Sequence, residues 1–219
     1  MKQVFISDIS WRYLLNYFRD EKTLFRHYQE LALEDCGKTF TGEVIELGGE
    51  KHYNASACFP NAEKYVVSNI DRDYDLYLDV TDMALADESA DNFVMVSMLQ
   101  HVDNPFQAMS EVHRTLKKGG QLLLINAFTH PFCDVRDYWR FSIDGYRSLL
   151  GDQYEIVTVY KLGGKYSAFA NTFQRPRKSK NLRVLANKAL GFVVALLGKV
   201  LETDDFSPLG VGILARKKG

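Results

Sequence analysis

Two apolar runs on either side of a polar turn and a helical segment constrain the fold of this chain most strongly. The first run starts at Asn92 and the second ends at Phe128; the turn SMLQH (residues 97–101), a helical stretch and the sequence LKKGG lie between them. Uninterrupted apolar strands are typical of parallel sheets covered on both faces, with a helix as the crossover. Ligands of open α/β sheets bind at the carboxyl ends of the strands, where residues 97–101 are expected to lie.

The remaining pattern predicts alternating β/α units that end in an antiparallel hairpin. Strands are predicted over residues 43–47, 64–69, 76–80, 154–160 and 210–216, and Ser142 is a suitable cap for a helix before the fourth of these. Residues 1–40 contain two helices between Ser7 and Asp35, with Gly37 as the stop of the second. Two interpretations of these helices stay open, a flap packed on the sheet edge and a lid over a substrate pocket.

The length, net charge and cysteine content of the chain restrict the class of protein. A chain of 219 residues fits one domain over residues 1–219, and a net charge of -1 gives no field that favours nucleic acid. The three cysteines are far apart and form no CxxC pair, so neither a disulfide framework nor a structural zinc site is expected. The N-terminus lacks the pattern of a signal peptide, and no apolar run reaches the length of about 18 residues expected for a membrane span. We therefore expect a cytoplasmic protein.

Residues 162–207 form an insertion before the last strand. It becomes basic between Arg175 and Arg183 and continues as an apolar helix, interrupted by Lys188 and Lys199, that we predict is too short to span a bilayer. The apolar face suits packing on the sheet or on a second subunit in a homodimer. The alternative is a peripheral contact of residues 181–201 with the inner face of a membrane, where the protein would meet a lipid-linked substrate.

The stretch around the two apolar runs contains motifs at a specific spacing. They are Asp79, DNF (residues 91–93), LQHVDNP (residues 99–105), EVHRTLKKGG (residues 111–120), and His130 followed by DYWRFS (residues 137–142). With them the chain resembles the class I S-adenosylmethionine-dependent methyltransferases, most closely the small type-11-like enzymes often encoded beside cell-surface glycan and secondary-metabolite genes. The resemblance is strong between Lys64 and Leu150 and weak at both ends. It implies a three-layer, Rossmann-like sheet, mostly parallel, with an antiparallel last strand.

The resemblance also implies S-adenosylmethionine as cofactor, held by a glycine turn after the first motif strand and by acids after the next two strands. The matching cofactor-binding residues are Glu46, Gly48, Gly49, Asn69, Asp71, Asp79, Val80 and Ser97. Two departures bear on this site. Glu50 and His52 stand where later glycines are usual, and Asn69 stands where an acid is usual. Either Asn69 holds the ribose or Asp71 does, and a side chain at Glu50 is expected to narrow the room for the methionine moiety.

Candidates for chemistry lie on the loops after the last two parallel strands. His130 and His101 are suitable bases, needed when the acceptor must lose a proton. Tyr138 and Arg140 would bind the acceptor, with a loop brace between Arg140 and Asp137 as the structural alternative. His130 with Asp134 is too weak a pattern to predict a metal. The sequence thus predicts methyl transfer to an oxygen or nitrogen of a small molecule or sugar, including a lipid-linked glycan. A catalytically inactive scaffold of the same fold is the alternative.

Overall fold

Eight strands and six helices make up the part of the chain that the computed structural model describes, residues 1–19, 22–50, 53, 55–71, 73–132, 136–174, 181–203 and 206–219. The strands are β1 (Lys2–Ile6), β2 (Gly42–Leu47), β3 (Ala62–Asn69), β4 (Leu76–Tyr77), β5 (Ala90–Val96), β6 (Leu116–Ala127), β7 (Tyr154–Leu162) and β8 (Gly210–Lys217). The helices are α1 (Trp11–Asn16), α2 (Leu24–Cys36), α3 (Pro105–Thr115), α4 (Ile143–Leu150), α5 (Lys165–Thr172) and α6 (Leu182–Leu201).

All eight strands pair in one sheet of order β1-β7-β8-β6-β5-β2-β3-β4. Every pairing is parallel except those of β8, which runs antiparallel to both β6 and β7. The chain moves outward from β2 to β4 and then returns to β5 on the other side of β2. The carboxyl ends of β2 and β5 therefore form the switch point at which open α/β sheets bind ligands. The predicted mostly parallel sheet with an antiparallel last strand is confirmed.

Helices cover both faces of the sheet, which gives three layers. On one face α1, α2, α5 and α6 share a core with the inward side chains of the strands, among them Val94, Leu123 and Ile125. On the other face α3 and α4 pack on Phe93 and Leu124. Consecutive strand residues thus alternate between the two cores, which explains the uninterrupted apolar runs Phe93–Val96 and Leu122–Ile125.

The N-terminal region departs from the prediction in two ways. Strand β1 was not predicted, because its residues are exposed or half-buried and it forms only by pairing with β7. Helix α2 packs on the face of the sheet and not on its edge, with Phe25, Tyr28 and Leu33 buried in the core. Gly37 does follow α2, but at φ -60° the chain continues into a 3₁₀ turn. A Cβ at Gly37 would lie 2.1 Å from the carbonyl oxygen of Cys58, so close packing requires this glycine.

The insertion consists of α5 and α6 and the segments beside them. The prediction that its apolar helix is too short to span a bilayer is wrong. Helix α6 has 20 residues and, by length and composition alone, could cross a membrane. Only 22% of its most apolar 18-residue window is buried. No second helix of this kind occurs among the described residues. The basic positions from Arg175 to Lys180 lie outside those residues, as do His52 and Asp134.

Candidate cofactor and acceptor site

A cleft of about 320 Å³ opens at the carboxyl ends of β2, β3 and β5. Its volume falls in the range of small-molecule sites, roughly 300–1,000 Å³. The lining residues are Leu47, Gly48, Asn69, Ile70, Leu78, Asp79, Val80, Thr81, Met98, His101, Val102, Asp103, Arg136 and Tyr138. Four of the eight predicted cofactor-binding residues, Gly48, Asn69, Asp79 and Val80, lie in this lining.

The turn after β2 is held close to the end of β3. The amides of Gly48 and Gly49 both donate to the carbonyl oxygen of Ser68, at 2.9 and 3.1 Å. Gly48 has φ +70°, and a Cβ there would lie 2.1 Å from Cγ of Met98. A Cβ at Gly49 would lie 2.5 Å from Cγ1 of Val67. Only glycine fits this path without displacing its neighbours, and the turn leaves backbone, not side chain, at the floor of the cleft.

The acidic side chains next to this turn point away from the cleft. Glu46 is buried under the turn and accepts a hydrogen bond of 2.8 Å from the hydroxyl of Tyr65. Burial raises the pKa of Glu46, although Tyr65 and Arg26 oppose that shift. The Glu50 side chain is 70% exposed and lies 3.7 Å from Arg26. Glu50 is not part of the cleft lining, so the expected narrowing by this residue does not occur.

Asn69 and Asp71, the two alternatives for the ribose, occupy different environments. Asn69 lines the cleft, and its amide donates to the carbonyl oxygen of Gly49 at 2.9 Å, which ties the end of β3 to the glycine turn. Asp71 is exposed and accepts from the amide of Asp73 at 3.2 Å. It is not among the lining residues. The geometry therefore favours Asn69 as the residue that faces a bound ribose.

Asp79 reaches the cleft on a segment that the motif residues hold in place. Its carboxylate accepts from the amide and hydroxyl of Thr81, at 2.9 and 2.7 Å, and Val80 lines the cleft beside it. Arg114 of α3 donates to the carbonyl oxygens of residues 83 and 85, and Glu111 accepts from the amide of residue 83. Arg114 also pairs with Glu111 and lowers the pKa of that carboxyl. These motif residues thus position the cleft wall and do not line it.

Ser97 has a structural role in this site. It adopts φ +54°, its amide donates to the carbonyl oxygen of Ile125 at 2.7 Å, and its hydroxyl accepts from the buried Gln29 of α2 at 2.6 Å. Ser97 does not line the cleft, whereas the next residue, Met98, does. The bond to Gln29 fixes α2 against the end of β5.

A second pocket adjoins the cleft on its far side. His130, Pro131, Phe132, Asp137, Tyr138, Trp139 and Arg140 line it, and its volume is about 360 Å³. Tyr138 lines both spaces. The buried Gln100 holds them together, because its backbone carbonyl accepts from the amide of Tyr138 at 2.9 Å and its side chain accepts from the amide of Ala127 at 3.3 Å. The predicted catalytic residues are therefore arranged around two connected spaces.

The two candidate bases, His130 and His101, have different hydrogen-bond partners at their ring nitrogens. Nδ1 of His130 lies 2.7 Å from the carbonyl oxygen of Pro131 and must donate to it, so in the neutral ring the lone pair is on Nε2. Burial lowers the pKa of His130, which keeps the ring neutral at neutral pH. Nδ1 of His101 donates to the carbonyl oxygen of Arg136, but Nε2 of His101 accepts from the side-chain amide of Gln100 at 3.2 Å. Both neutral rings therefore carry their lone pair on Nε2, and His130 lines the second pocket.

Arg140 is engaged within its own loop. Its guanidinium forms a bidentate pair with Asp137, including a contact of 2.6 Å, and also donates to the carbonyl oxygen of Trp139. This is the loop brace that the sequence offered as the structural alternative, and Arg140 lines the second pocket. Among the described residues no group of three or more His, Cys, Asp or Glu could hold a metal ion.

The central part of the chain is similar to known methyltransferases. A family profile described as a methyltransferase domain matches residues 52–124. Residues 52–124 are thus similar to this methyltransferase family. The mitochondrial 2-methoxy-6-polyprenyl-1,4-benzoquinol methylase of Mus musculus is 28% identical over 130 residues, which cover 54% of this chain and 39% of the relative. The chain thus spans about two fifths of the length of that curated relative.

Solved structures share the methyltransferase fold. An S-adenosylmethionine-dependent methyltransferase from Archaeoglobus fulgidus aligns over 95% of this chain and 100% of its own, with a TM-score of 0.57 and 12% identity. The cyclase SpnF aligns over 91% of this chain and 85% of its own, with a TM-score of 0.56 and 15% identity. At such identities the likeness shows the fold alone. The predicted family and fold are confirmed, and the family implies S-adenosylmethionine as cofactor.

The residues present fit that cofactor. Backbone at Gly48 and Gly49 leaves space at the carboxylate end, while Asn69 and Asp79 offer oxygen acceptors where a ribose and an adenine amino group would need them. Ile70 was not predicted, yet its exposed apolar side chain lines the cleft and is suited to stack on a purine. The sequence signal for Ile70 is an isoleucine directly after the end of a predicted strand. Met98 and Tyr138 complete the wall.

Proposed function

We propose that this chain transfers the methyl group of S-adenosylmethionine to an oxygen or nitrogen atom of a small-molecule acceptor. The observation that carries the proposal is the cleft at the switch point, whose described lining brings Gly48 of the glycine turn together with Asn69 and Asp79. The cofactor, when bound, supplies a methyl group that is already activated on a sulfonium. The residues of the chain therefore have to align the acceptor, and alignment is worth roughly 7–11 kcal/mol in favourable cases.

In this proposal the pocket beside Tyr138 holds the acceptor. Tyr138 borders both spaces and would fix the distance between the acceptor atom and the cofactor. His130 would take the proton of an acceptor hydroxyl or ammonium on Nε2, while its Nδ1–H stays on the carbonyl oxygen of Pro131. Arg140, held by Asp137, would present its remaining N–H donors to an acidic or hydroxyl-bearing group of the acceptor. A sugar satisfies these requirements.

The mouse relative is named for a benzoquinol that carries a polyprenyl chain. This supports an acceptor with an apolar tail, of which a lipid-linked glycan is one form. We further propose that the protein works in the cytoplasm at the inner face of a membrane, where such acceptors are available.

Calorimetry with S-adenosylhomocysteine tests the cofactor site. We expect a micromolar dissociation constant for the wild-type chain and a loss of about tenfold or more for Asp79→Ala, since one charge-assisted hydrogen bond contributes roughly 1.5–3 kcal/mol. Asp71→Ala is the matched control, because Asp71 is an acid outside the cleft lining. Absence of binding by a folded wild-type chain would overturn the proposal and leave an inactive protein of this fold.

The acceptor side is tested with His130→Gln. Glutamine retains an N–H donor for the carbonyl oxygen of Pro131 but offers no base, so turnover should fall by roughly 10²-fold or more while cofactor affinity stays within about twofold. Methyl transfer from radiolabelled S-adenosylmethionine into a lipid and sugar extract gives the turnover. Equal losses of turnover and of cofactor affinity would contradict an acceptor-side role for His130.

A further inference from the structure

Helix α6 presents its larger apolar side chains to the outside of the protein. Its exposed side carries Leu182, Leu185, Leu190, Val193, Leu196, Leu197, Val200 and Leu201. The side that faces the protein has Gly191, Val194, Ala195 and Gly198 as its buried residues. Helices on the surface of a globular protein normally have the reverse arrangement, with the larger apolar residues toward the core. A contiguous apolar surface of this kind marks an interaction site.

Helix α1 and the turn after it extend the same surface. Trp11 and Leu15, one turn apart on α1, are exposed, as is Phe18 just beyond. The Phe18 ring lies 5.3 Å from Phe192 of α6, and the ammonium of Lys199 lies 5.1 Å from the ring of Trp11. We define the α1–α6 apolar surface as Trp11, Leu15, Phe18 and the eight exposed residues of α6.

The charge of the surrounding sequence is strongly positive. Residues 161–201 contain no Asp or Glu, and their basic residues are Lys161, Lys165, Arg175, Arg177, Lys178, Lys180, Arg183, Lys188 and Lys199. The whole chain has 27 Lys and Arg against 28 Asp and Glu, so the remainder of the chain is acidic. Positive charge beside exposed apolar side chains matches an anionic bilayer, where each basic residue near the surface adds to the attraction. A symmetric pair of chains would bring the same basic segments together, which opposes a second copy as the occupant.

Packing fixes α6 along the body of the protein. A Cβ at Gly191 would lie 2.5 Å from the hydroxyl oxygen of Tyr17, and a Cβ at Gly198 would lie 3.1 Å from Cβ of Tyr166 on α5. Near the end of the helix, Lys199 donates to the carbonyl oxygen of Ile9 at 2.6 Å. A helix held over its second half against other elements, with Gly191, Val194, Ala195 and Gly198 buried, can lie in the plane of a membrane but cannot cross the membrane without leaving them.

The surface lies close to the acceptor pocket in the fold. The insertion leaves the sheet at the end of β7 and returns at the start of β8, which is the edge of the sheet that bears the cleft. The amide of Phe128 donates to the carbonyl oxygen of Leu209 at 2.9 Å, and the ring of Phe25 on α2 lies 5.5 Å from His130. The segment that leads from the insertion into β8 and the helix α2 thus contact the loop that carries His130.

We propose that the α1–α6 apolar surface binds the surface of an anionic membrane, with α6 in the plane of the interface. The apolar residues enter the boundary between headgroups and acyl chains, and Arg183 and Lys188 of α6 face the headgroups. Binding to the lipid surface stands independently of catalysis. Membrane binding would bring a lipid-linked acceptor to the pocket at His130, and this part of the inference rests on the proposed function.

Flotation with liposomes tests this inference, using the full chain without cofactor or acceptor. The wild-type chain should float with vesicles of phosphatidylcholine and phosphatidylglycerol and not with phosphatidylcholine alone. Raising salt from about 0.1 M to about 1 M shortens the Debye length from about 10 to about 3 Å and should release the protein. Leu15→Glu with Val200→Glu, at positions 79% and 77% exposed, should lower the partition coefficient roughly tenfold or more. Arg183→Glu with Lys188→Glu should lower it by a similar factor.

Phe106→Glu is the matched control, because Phe106 is 60% exposed on α3 at the opposite face of the sheet and should leave flotation unchanged. S-adenosylhomocysteine affinity and thermal unfolding report whether each variant is folded. Three results would overturn the inference: no flotation of the wild-type chain, salt-resistant binding to neutral vesicles, or an equal loss in Phe106→Glu. A wild-type dimer that the Leu15 and Val200 substitutions dissociate, without vesicle binding, would assign the surface to a second copy.

Discussion

Replacing Gly48 with alanine should strain the backbone and push a neighbouring side chain into the cofactor cleft. An L-residue at φ +70° costs about 1–2 kcal/mol relative to glycine. The new Cβ would also lie 2.1 Å from Cγ of Met98, so the methionine has to leave its rotamer, which costs about 0.5–1.5 kcal/mol. We expect Gly48→Ala to lower the free energy of unfolding by about 2–3 kcal/mol. The displaced Met98 side chain lines the cleft and would enter the space for the ligand.

A double-mutant cycle separates the two effects. Met98→Ala removes the side chain that the new Cβ meets but leaves the positive φ. In that background the Gly48→Ala substitution should spare ligand affinity and should still cost the backbone part of the stability, about 1–2 kcal/mol. We expect Gly48→Ala to weaken S-adenosylhomocysteine binding roughly tenfold or more, about 1.4 kcal/mol, in the wild-type background. In the Met98→Ala background the loss should be less than about threefold, a coupling typical of residues in contact.

Calorimetry for affinity and urea unfolding for stability are the two measurements. An equal loss of affinity in both backgrounds would refute displacement of Met98 as the cause and would place the whole effect in the backbone. Unchanged affinity of Gly48→Ala would remove the glycine turn from the cofactor site.

Three further predictions follow from buried groups. Burial raises the pKa of Glu46 above its ordinary 4.5, so the folded chain keeps this proton at a pH where the unfolded chain has lost it. The free energy of unfolding therefore declines as pH rises from 4.5 through the raised pKa. Urea unfolding of Glu46→Gln should lack that decline. Gly37→Ala should destabilise the protein by about 1–3 kcal/mol in urea, because its Cβ would lie 2.1 Å from the carbonyl oxygen of Cys58. Burial lowers the pKa of His130, so an NMR titration of its ring, assigned with His130→Gln, should have its midpoint below 6.5.

The central strands could be predicted because their signal is local. The runs Phe93–Val96 of β5 and Leu122–Ile125 of β6 are apolar at each position, since both faces of the sheet are covered by helices. Strand β1 gave no such signal, because its residues are half-buried at most and its pairing partner β7 lies more than 150 residues away. The length of α6 was underestimated because Lys188 and Lys199 were taken as interruptions, whereas Lys199 turns back to the carbonyl oxygen of Ile9.

The sequence identified the cleft but not the orientation of every side chain in it. Glu50 was expected to narrow the site, yet it turns toward Arg26 of α2, a contact that no local pattern reveals. His101 and His130 were equivalent by their loop positions. In the structure His101 lines the cofactor cleft and accepts from Gln100 on Nε2, whereas His130 lines the second pocket. A hydrogen bond of this kind depends on the fold of two loops and could not be inferred from either loop alone.

The position of the matched motifs explains how far a family likeness can reach in this chain. Asp91 accepts from the amide of Glu43 and pairs with Lys117, and Glu111 and Arg114 hold the segment that carries Asp79. Glu111 and Arg114 hold the wall of the cofactor cleft, whereas Asp91 joins the amino ends of β2, β5 and β6 at the opposite edge of the sheet. None of these residues lines the second pocket. That pocket depends on the loop at His130, on α2 and on its links to the insertion, which lie outside the matched residues 52–124. The motifs can therefore predict the methyl donor, whereas the acceptor has to be inferred from the pocket and from the surface of α1 and α6 beside it.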